Sequence, residues 1–205
     1  MPNSRVGIAV LAKAPVPGLT KTRLIPTIGA HAAAYLQERM TERTVGTATA
    51  SAVGPVTLWC APDPGHPSFR ELVTQYKVTL KRQPDGDLGA RMLAAMTAGP
   101  TLVIGADCPA FTPEHLRSAA AALRDGADVV LIPAEDGGYV LIGTRQPQPA
   151  LFDGIAWSTA SVLSDTQARI AAAGLSAREL PPLWDVDTND DLERLERELP
   201  GLALL

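Results

Sequence analysis

Short apolar runs and longer stretches with helical spacing alternate along this chain. The first run, "RVGIAVLA" (5–12), ends at Pro15, Pro17 and Gly18 and predicts a buried strand that feeds a loop. "AHAAAYLQERMTERTVGTATA" (30–50) is rich in helix formers and returns apolar residues at helical spacing despite Gly46, so a helix follows. "VTLWC" (56–60), "VTLKRQ" (78–83) and "TLVIGA" (101–106) predict further strands, and "LGARMLAAMTA" (88–98) predicts a helix between the last two. In "TPEHLRSAAAALRDG" (112–126), Thr112 is placed to cap a helix, Pro113 to open it and Gly126 to stop it. "ADVVLIPA" (127–134) and "GYVLIGT" (138–144) read as strands around the turn "EDGG"; "SVLSDTQARIAAAG" (161–174) and "DDLERLERELPG" (190–201) read as helices. Strands that alternate with helices imply an α/β domain with a mainly parallel sheet covered on both faces.

Composition narrows the class. A chain of 205 residues, 46% hydrophobic and 20% charged, suits one domain spanning 1–205, and no repeat or linker divides it. The net charge of -4 argues against a broad nucleic-acid face, which needs many cations to displace counterions. Cys60 and Cys108 form no zinc or disulfide pattern, which points to reduced thiols and a cytoplasmic location. The first apolar run is stopped by Lys13 and Pro15, too short for a bilayer span or a signal core, so no membrane partner is expected.

Ligands of open α/β sheets bind beyond the carboxyl ends of the strands, which directs attention to three segments. "LAKAPVPGLTKTRL" (11–24) places Lys13, Lys21 and Arg23 in a Pro- and Gly-fixed loop after the first strand, with no acidic residue. Backbone N–H groups and cations in such a loop can grip phosphate; a solvated surface loop is the alternative. Neither a Walker pattern nor GxGxxG is present. "VIGADCP" (103–109) ends a strand at Asp107, a carboxylate that either holds a hard cation or caps a turn. Cys108 beside it fits a buried small hydrophobe better than a nucleophile, because no Cys–His pairing is legible. "LWDVDTNDDL" (183–192) puts Asp185 and Asp187 on one face of an extended segment, before a helix that Thr188 or Asn189 caps. His31, His66 and His115 are too far apart in sequence to suggest a metal set, and Ser158 or Thr159 reads as a helix cap.

In order, "LAKAPVPGLTKTRL", "QPDGDLGARM", "IGADCP", "PAEDGGYVLIG", "IAWST" and "WDVDTNDDL" resemble a bacterial family related to nucleotide-diphospho-sugar transferases, the arsenosugar-biosynthesis-glycosyltransferase-like family. The resemblance spans nearly the whole chain. It implies a Rossmann-like GT-A sandwich with a mixed central sheet. It also implies a nucleotide site at Leu11, Ala12, Lys13, Gly18, Lys21, Arg23 and Gly89, and an acceptor or sugar pocket at Asp136, Gly137 and Gly138. Asp107, completed by Asp187 or Asp185, would hold Mg²⁺ or Mn²⁺, and Lys21, Arg23, Asp107 and Asp136 would carry the catalytic roles. Many metal-dependent glycosyltransferases place two aspartates one residue apart; here the segment reads Gly105, Ala106, Asp107. That lone aspartate and "KTRL" are closer to nucleotidylyltransferases of the same fold.

Two reactions therefore stay open: glycosyl transfer from a nucleotide-diphospho-sugar, and nucleotidyl transfer from a triphosphate to a phosphorylated acceptor. A nucleotide-binding regulatory protein without turnover is a third reading, which retention of both acidic segments and the basic loop opposes. The expected partners are a nucleotide-activated donor and a small acceptor.

Overall fold

The computed structural model describes residues 5–96 and 99–203. A seven-stranded sheet forms its centre, from β1 (Gly7–Lys13), β2 (Val56–Ala61), β3 (Thr79–Arg82), β4 (Thr101–Gly105), β5 (Val129–Pro133), β6 (Tyr139–Thr144) and β7 (Ala177–Glu179), in the order β3-β2-β1-β4-β6-β5-β7. Every pair is parallel except those of β6, which runs antiparallel to both β4 and β5. The order reverses between β1 and β4: β1 leads outward to β2 and β3, and β4 leads to the other half. A crevice opens at such a switch point because the loops leaving the two strands depart to opposite sides.

One face of the sheet carries α1 (Ile25–Ala50), α2 (Pro67–Tyr76) and α4 (Pro113–Arg124) over Ile8, Val10, Leu58, Leu102 and Ile104. The other carries α3 (Leu88–Ala95), α5 (Val162–Ala172) and a 3₁₀ turn at Pro149–Leu151 over Ala9, Val103, Leu131 and Ile142. Alternate strand residues thus supply opposite cores, which is why the central strands read as unbroken apolar runs. A third cluster joins Leu24, Leu36 and Met40 to Trp184, Val186, Leu192 and Leu195, and anchors α6 (Asn189–Glu198) and α7 (Pro200–Ala203) beside α1. No helix among the described residues is long and apolar enough to cross a membrane.

Local signals set most helix ends. Thr112 and His115 form a reciprocal capping box on α4 with Pro113 in its first turn, and Gly126 closes the helix at φ +112. Thr188 caps α6 in a second box with Asp191. The helix expected from Ala30 gains a preceding turn at 25–28, set off by the non-helical Gly29 (φ 79, ψ 162). Besides the 3₁₀ turn at Pro149–Leu151, two elements have no counterpart in the sequence reading. α2 begins at His66, whose Nδ1 accepts the Ser68 amide at 3.3 Å, a capping role outside the usual Ser/Thr/Asp/Asn set. The exposed three-residue β7 owes its form to pairing with β5 rather than to its own sequence. The expected terminal helix breaks at Leu199, because Pro200 cannot continue it. α3 ends at Ala95, and positions 97 and 98 of its expected span lie outside the described residues.

A candidate active site at the switch point

The carboxyl ends of β1 and β4 are tied together by the Ala106 amide donating to Leu11 O at 3.2 Å. An extended segment, 183–187, then runs across the strand ends. Leu183 N donates to Pro133 O at 3.0 Å and Val186 N to Asp107 O at 3.0 Å. Trp184 and Val186 point into the third core cluster, so Asp185 and Asp187, one residue out of phase, face the cleft. Burial of two apolar side chains thereby aims two carboxylates at Asp107.

Lys21 sits at the centre of this arrangement, its side chain only 4% exposed. Its Nζ lies 2.8 Å from Asp107 Oδ1 and 3.3 Å from Asp187 Oδ1, and donates to Val186 O at 2.5 Å. Burial pulls the lysine pKa down, but Asp107 and then Asp187 outweigh it and hold the ammonium above its usual value. Arg23 reaches Asp187 Oδ2 at 3.4 Å from the surface. Asp185 makes no such pair: burial, then the charges of Asp136, Asp187 and Asp107, push it up to about 6.

Two lobes flank the Lys21 cluster. A basic lobe of about 330 Å³ is lined by Leu11, Ala12, Lys13, Arg23, Gln83, Leu88 and Arg91. Gln83 is buried there, its Nε2 donating to Ala12 O at 3.2 Å and Trp59 O at 2.8 Å, which leaves its carbonyl oxygen free to accept. An acidic lobe of about 410 Å³ is lined by Asp136, Gly138, Tyr139, Trp157, Ser158 and Asp185. Asp107 and Asp187 line both lobes.

The turn between β5 and β6 closes the acidic lobe. Asp136 Oδ1 accepts the Gly138 amide at 2.9 Å, leaving Oδ2 available. Gly137 has φ +93, and a methyl group on it would lie 2.4 Å from Ala160 O, so the turn packs backbone to backbone against the loop before α5. That loop carries Trp157, whose Nε1 donates to Asp87 Oδ2 at 3.2 Å, while Asp87 Oδ1 caps α3 through the Ala90 amide at 2.8 Å. A methyl group on Gly89 would lie 2.7 Å from Trp157 Cζ2 and 2.9 Å from Phe152 Cβ. "DLG" and "IAWST" therefore act together to hold the tryptophan wall.

The sequence-predicted residues sort accordingly. Leu11, Ala12, Lys13, Lys21 and Arg23 line the basic lobe, and Asp107, Asp185 and Asp187 meet at its boundary with the acidic one. Asp136 and Gly138 line the acidic lobe, and Gly137 shapes the turn behind them. Gly18 stands apart on an exposed part of the loop, at φ +83. Gly89 is packed under Trp157. Cys108 is buried, with its thiol pushed up to about 12 by desolvation, in keeping with a core residue. Neither Ser158 nor Thr159 caps α5: Ser161 holds that place, without a side-chain bond to the helix, and Thr159 Oγ1 donates to Ala156 O. Gln83, Arg91 and Tyr139 were missed as lining residues, because nothing local distinguishes a lining side chain from any other strand or helix residue.

Among the described residues no three His, Cys, Asp or Glu side chains gather closely enough to hold a metal by themselves. The Asp107–Asp187 pair nonetheless fits a Mg²⁺ or Mn²⁺ site: both carboxylates already converge on one cation, the Lys21 ammonium. Magnesium commonly takes one or two carboxylates and completes its shell from substrate phosphates.

A mixed seven-stranded sheet whose order reverses between β1 and β4, covered by helices on both faces, belongs to the Rossmann-like class of α/β folds shared by GT-A enzymes and nucleotidyltransferases. A provisionally named nucleotide-diphospho-sugar transferase from Desulfovibrio desulfuricans G20 shares this structure. It has a TM-score of 0.80 and 29% identity over 98% of this chain and 97% of that one. Two more distant structures share the fold. CMP:2-keto-3-deoxy-manno-octonic acid synthetase has a TM-score of 0.63 and 14% identity, over 97% of this chain and 99% of that one. The inositol-1-phosphate CTP transferase of T. maritima has a TM-score of 0.63 and 11% identity, over 98% of this chain and 97% of that one. No curated protein matches the chain by sequence. Residues 44–159, more than half of the chain, match the family described as an uncharacterized protein conserved in bacteria (DUF2064), and the chain belongs to that family.

Proposed function

We propose that the chain is a transferase that moves a glycosyl group from a nucleotide-diphospho-sugar to an acceptor hydroxyl. The observation that carries this reading is the polarity of the cleft: a basic lobe and an acidic lobe meet at the Lys21–Asp107–Asp187 cluster. The base and ribose would lie along Leu11, Leu88 and Gln83, with the diphosphate between Lys13, Lys21, Arg23 and Arg91. The reacting bond then falls at the junction, and the acceptor in the lobe of Asp136, Tyr139 and Trp157.

Asp136 Oδ2 is assigned as the base that takes the acceptor's hydroxyl proton. The acceptor oxygen forms its bond to the anomeric carbon as the bond from that carbon to the diphosphate breaks. The electron pair leaves with the nucleoside diphosphate, where Lys21 and Arg23 stabilise it. A divalent cation held by Asp107 and Asp187, with Asp185 adjacent, would add Lewis-acid stabilisation of the same leaving group.

Nucleotidyl transfer is the second reading. It is favoured by the single carboxylate of Gly105–Ala106–Asp107, since a methyl group on Gly105 would meet nothing nearer than Asp107 N at 4.0 Å and no second acid fills that space. Against it, a phosphorylated acceptor would enter a lobe lined by Asp107, Asp136, Asp185 and Asp187, with Arg23 as its sole cation. The deciding experiment incubates the protein and Mg²⁺ with a panel of diphospho-sugars and triphosphates plus neutral and phosphorylated acceptors, then separates the products. A nucleoside diphosphate released together with a glycosylated neutral acceptor is expected. Pyrophosphate from a triphosphate, with every diphospho-sugar intact, overturns the first reading in favour of the second.

A further inference from the structure

The position a divalent cation needs is already filled by a side chain. Lys21 concentrates its ammonium on one point: it donates to Val186 O at 2.5 Å and to Asp187 Oδ1 at 3.3 Å, and it forms an ion pair with Asp107 Oδ1 at 2.8 Å. Mg²⁺ needs carboxylate oxygens at about 2.0–2.1 Å, so it and the ammonium would draw on the same lone pairs within one small space, and two cations there repel. The backbone also marks this residue: Lys21 lies at φ +48, in the left-handed region that non-glycine residues rarely enter, three residues after Gly18 at φ +83.

We propose that Lys21 is a built-in counter-cation that excludes divalent metal from Asp107 and Asp187 until a polyphosphate draws its ammonium away. The proposal rests on the nucleotide and metal reading given above. The loop that carries Lys21 also carries Arg23 into the basic lobe, which Lys13 enters from the end of β1, and there phosphate oxygens offer the ammonium acceptors of the same kind as those it leaves. Once Lys21 turns to the phosphates, Asp107 loses its partner cation and Asp187 keeps only the exposed Arg23 at 3.4 Å, and the polyphosphate adds further negative charge. Metal affinity then rises, and by linkage the metal raises polyphosphate affinity by the same factor. The device separates two roles within one cluster: Lys21 offsets part of the charge of the carboxylate pair in the empty protein, and frees the pair when a donor is present.

The test titrates Mn²⁺, followed by electron paramagnetic resonance, into the full chain without any nucleotide. Wild type is compared with Lys21→Met and Lys21→Gln, after circular dichroism has shown that the variants are folded. Both variants are expected to bind Mn²⁺ about tenfold more tightly than wild type, or better, within the usual range of coupling between sites. Equal affinity in all three proteins overturns the proposal, as does a failure of all three to bind.

If both variants unfold, the wild type decides through the ζ-¹⁵N resonance of Lys21. It should stay in place with Mg²⁺ alone and move when pyrophosphate accompanies Mg²⁺. Displacement by Mg²⁺ alone, or no movement with both, overturns the proposal. A separate calorimetric panel of triphosphates and diphospho-sugars tests the functional reading. Absence of binding there sinks the transferase assignment, whereas the nucleotide-free Mn²⁺ comparison still judges whether Lys21 excludes metal.

Discussion

Asp185 ionises in the company of three other carboxylates while partly buried, and its pKa is raised to about 6. In the unfolded chain an aspartate titrates near about 3.9. Between those values the folded protein holds a proton that the unfolded chain has lost, so this group makes stability fall as pH rises through that window. The effect is complete above the folded pKa, where the carboxylate is charged in both states and repelled only in the folded one. Asp185→Asn should therefore stabilise the protein at pH 8 and leave it unchanged near pH 3.5. Melting temperatures of the two proteins measured across that range should converge towards low pH; a constant offset would mean that Asp185 is not the titrating group. The same residue illustrates what spacing can and cannot reveal. Its alternation with Trp184 and Val186 places it on the face of Asp187, but its proximity to Asp136 comes from a turn about fifty residues upstream in sequence, which no local pattern records.

At the scale of elements, the tryptophan wall depends on one missing methyl group. Gly89 lies in the first turn of α3, where the backbone conformation would accept alanine, yet its Cβ would stand 2.7 Å from the Trp157 ring and 2.9 Å from Phe152 Cβ. Gly89→Ala should raise helix propensity locally and still cost about 1–3 kcal/mol, because overpacking in a formed contact outweighs the propensity gain. Equilibrium urea unfolding gives that cost, and a changed Trp157 emission, with Trp59 and Trp184 replaced by Phe in both proteins, shows where the strain falls. An unchanged midpoint and spectrum would mean that the loop before α5 yields freely. The Asp87 bond to Trp157 and the Asp87 cap on α3 make this helix and that loop one unit, so the wall is set from outside the acidic lobe that it lines.

Across the whole molecule, the two thiols report how far the sheet must open. Cys60 on β2 and Cys108 after β4 are both in the core beneath α1, α2 and α4, and burial pushes each up to about 12 from an ordinary value near 9. Native protein at pH 8 should react with iodoacetamide far more slowly at both positions than the same protein in urea, because each must first reach water to form thiolate. A nucleotide bound across β1 and β4 should slow Cys108 further, since ligand that binds only the closed state suppresses opening. Mass spectrometry of the labelled peptides separates the two sites. Rapid native labelling of Cys108 would show that the strand end beside Asp107 opens independently of the core.

The alternation of apolar runs with helical spacing determined the α/β class, because strands buried on both faces must be continuously apolar and amphipathic helices must repeat every turn. Thr112, Pro113, Gly126 and Thr188 fixed helix ends for an equally local reason: a cap bonds backbone groups within a few residues of itself. The basic loop, Asp107 and the Asp185–Asp187 pair were also legible, as polar residues placed immediately after apolar strands or alternating along one. The turn after β5 makes its antiparallel pairing with β6 local, but tertiary structure alone decided that β6 would also pair with β4 and that β7 would form at all, since each depends on a strand distant in sequence. It alone placed Lys21 between two aspartates 86 and 166 residues away, turning a presumed phosphate cation into the present partner of a presumed metal pair. A sequence pattern records what each residue prefers locally; which opposite charges share one buried point is determined only when β1, β4 and the 183–187 segment close on a common edge.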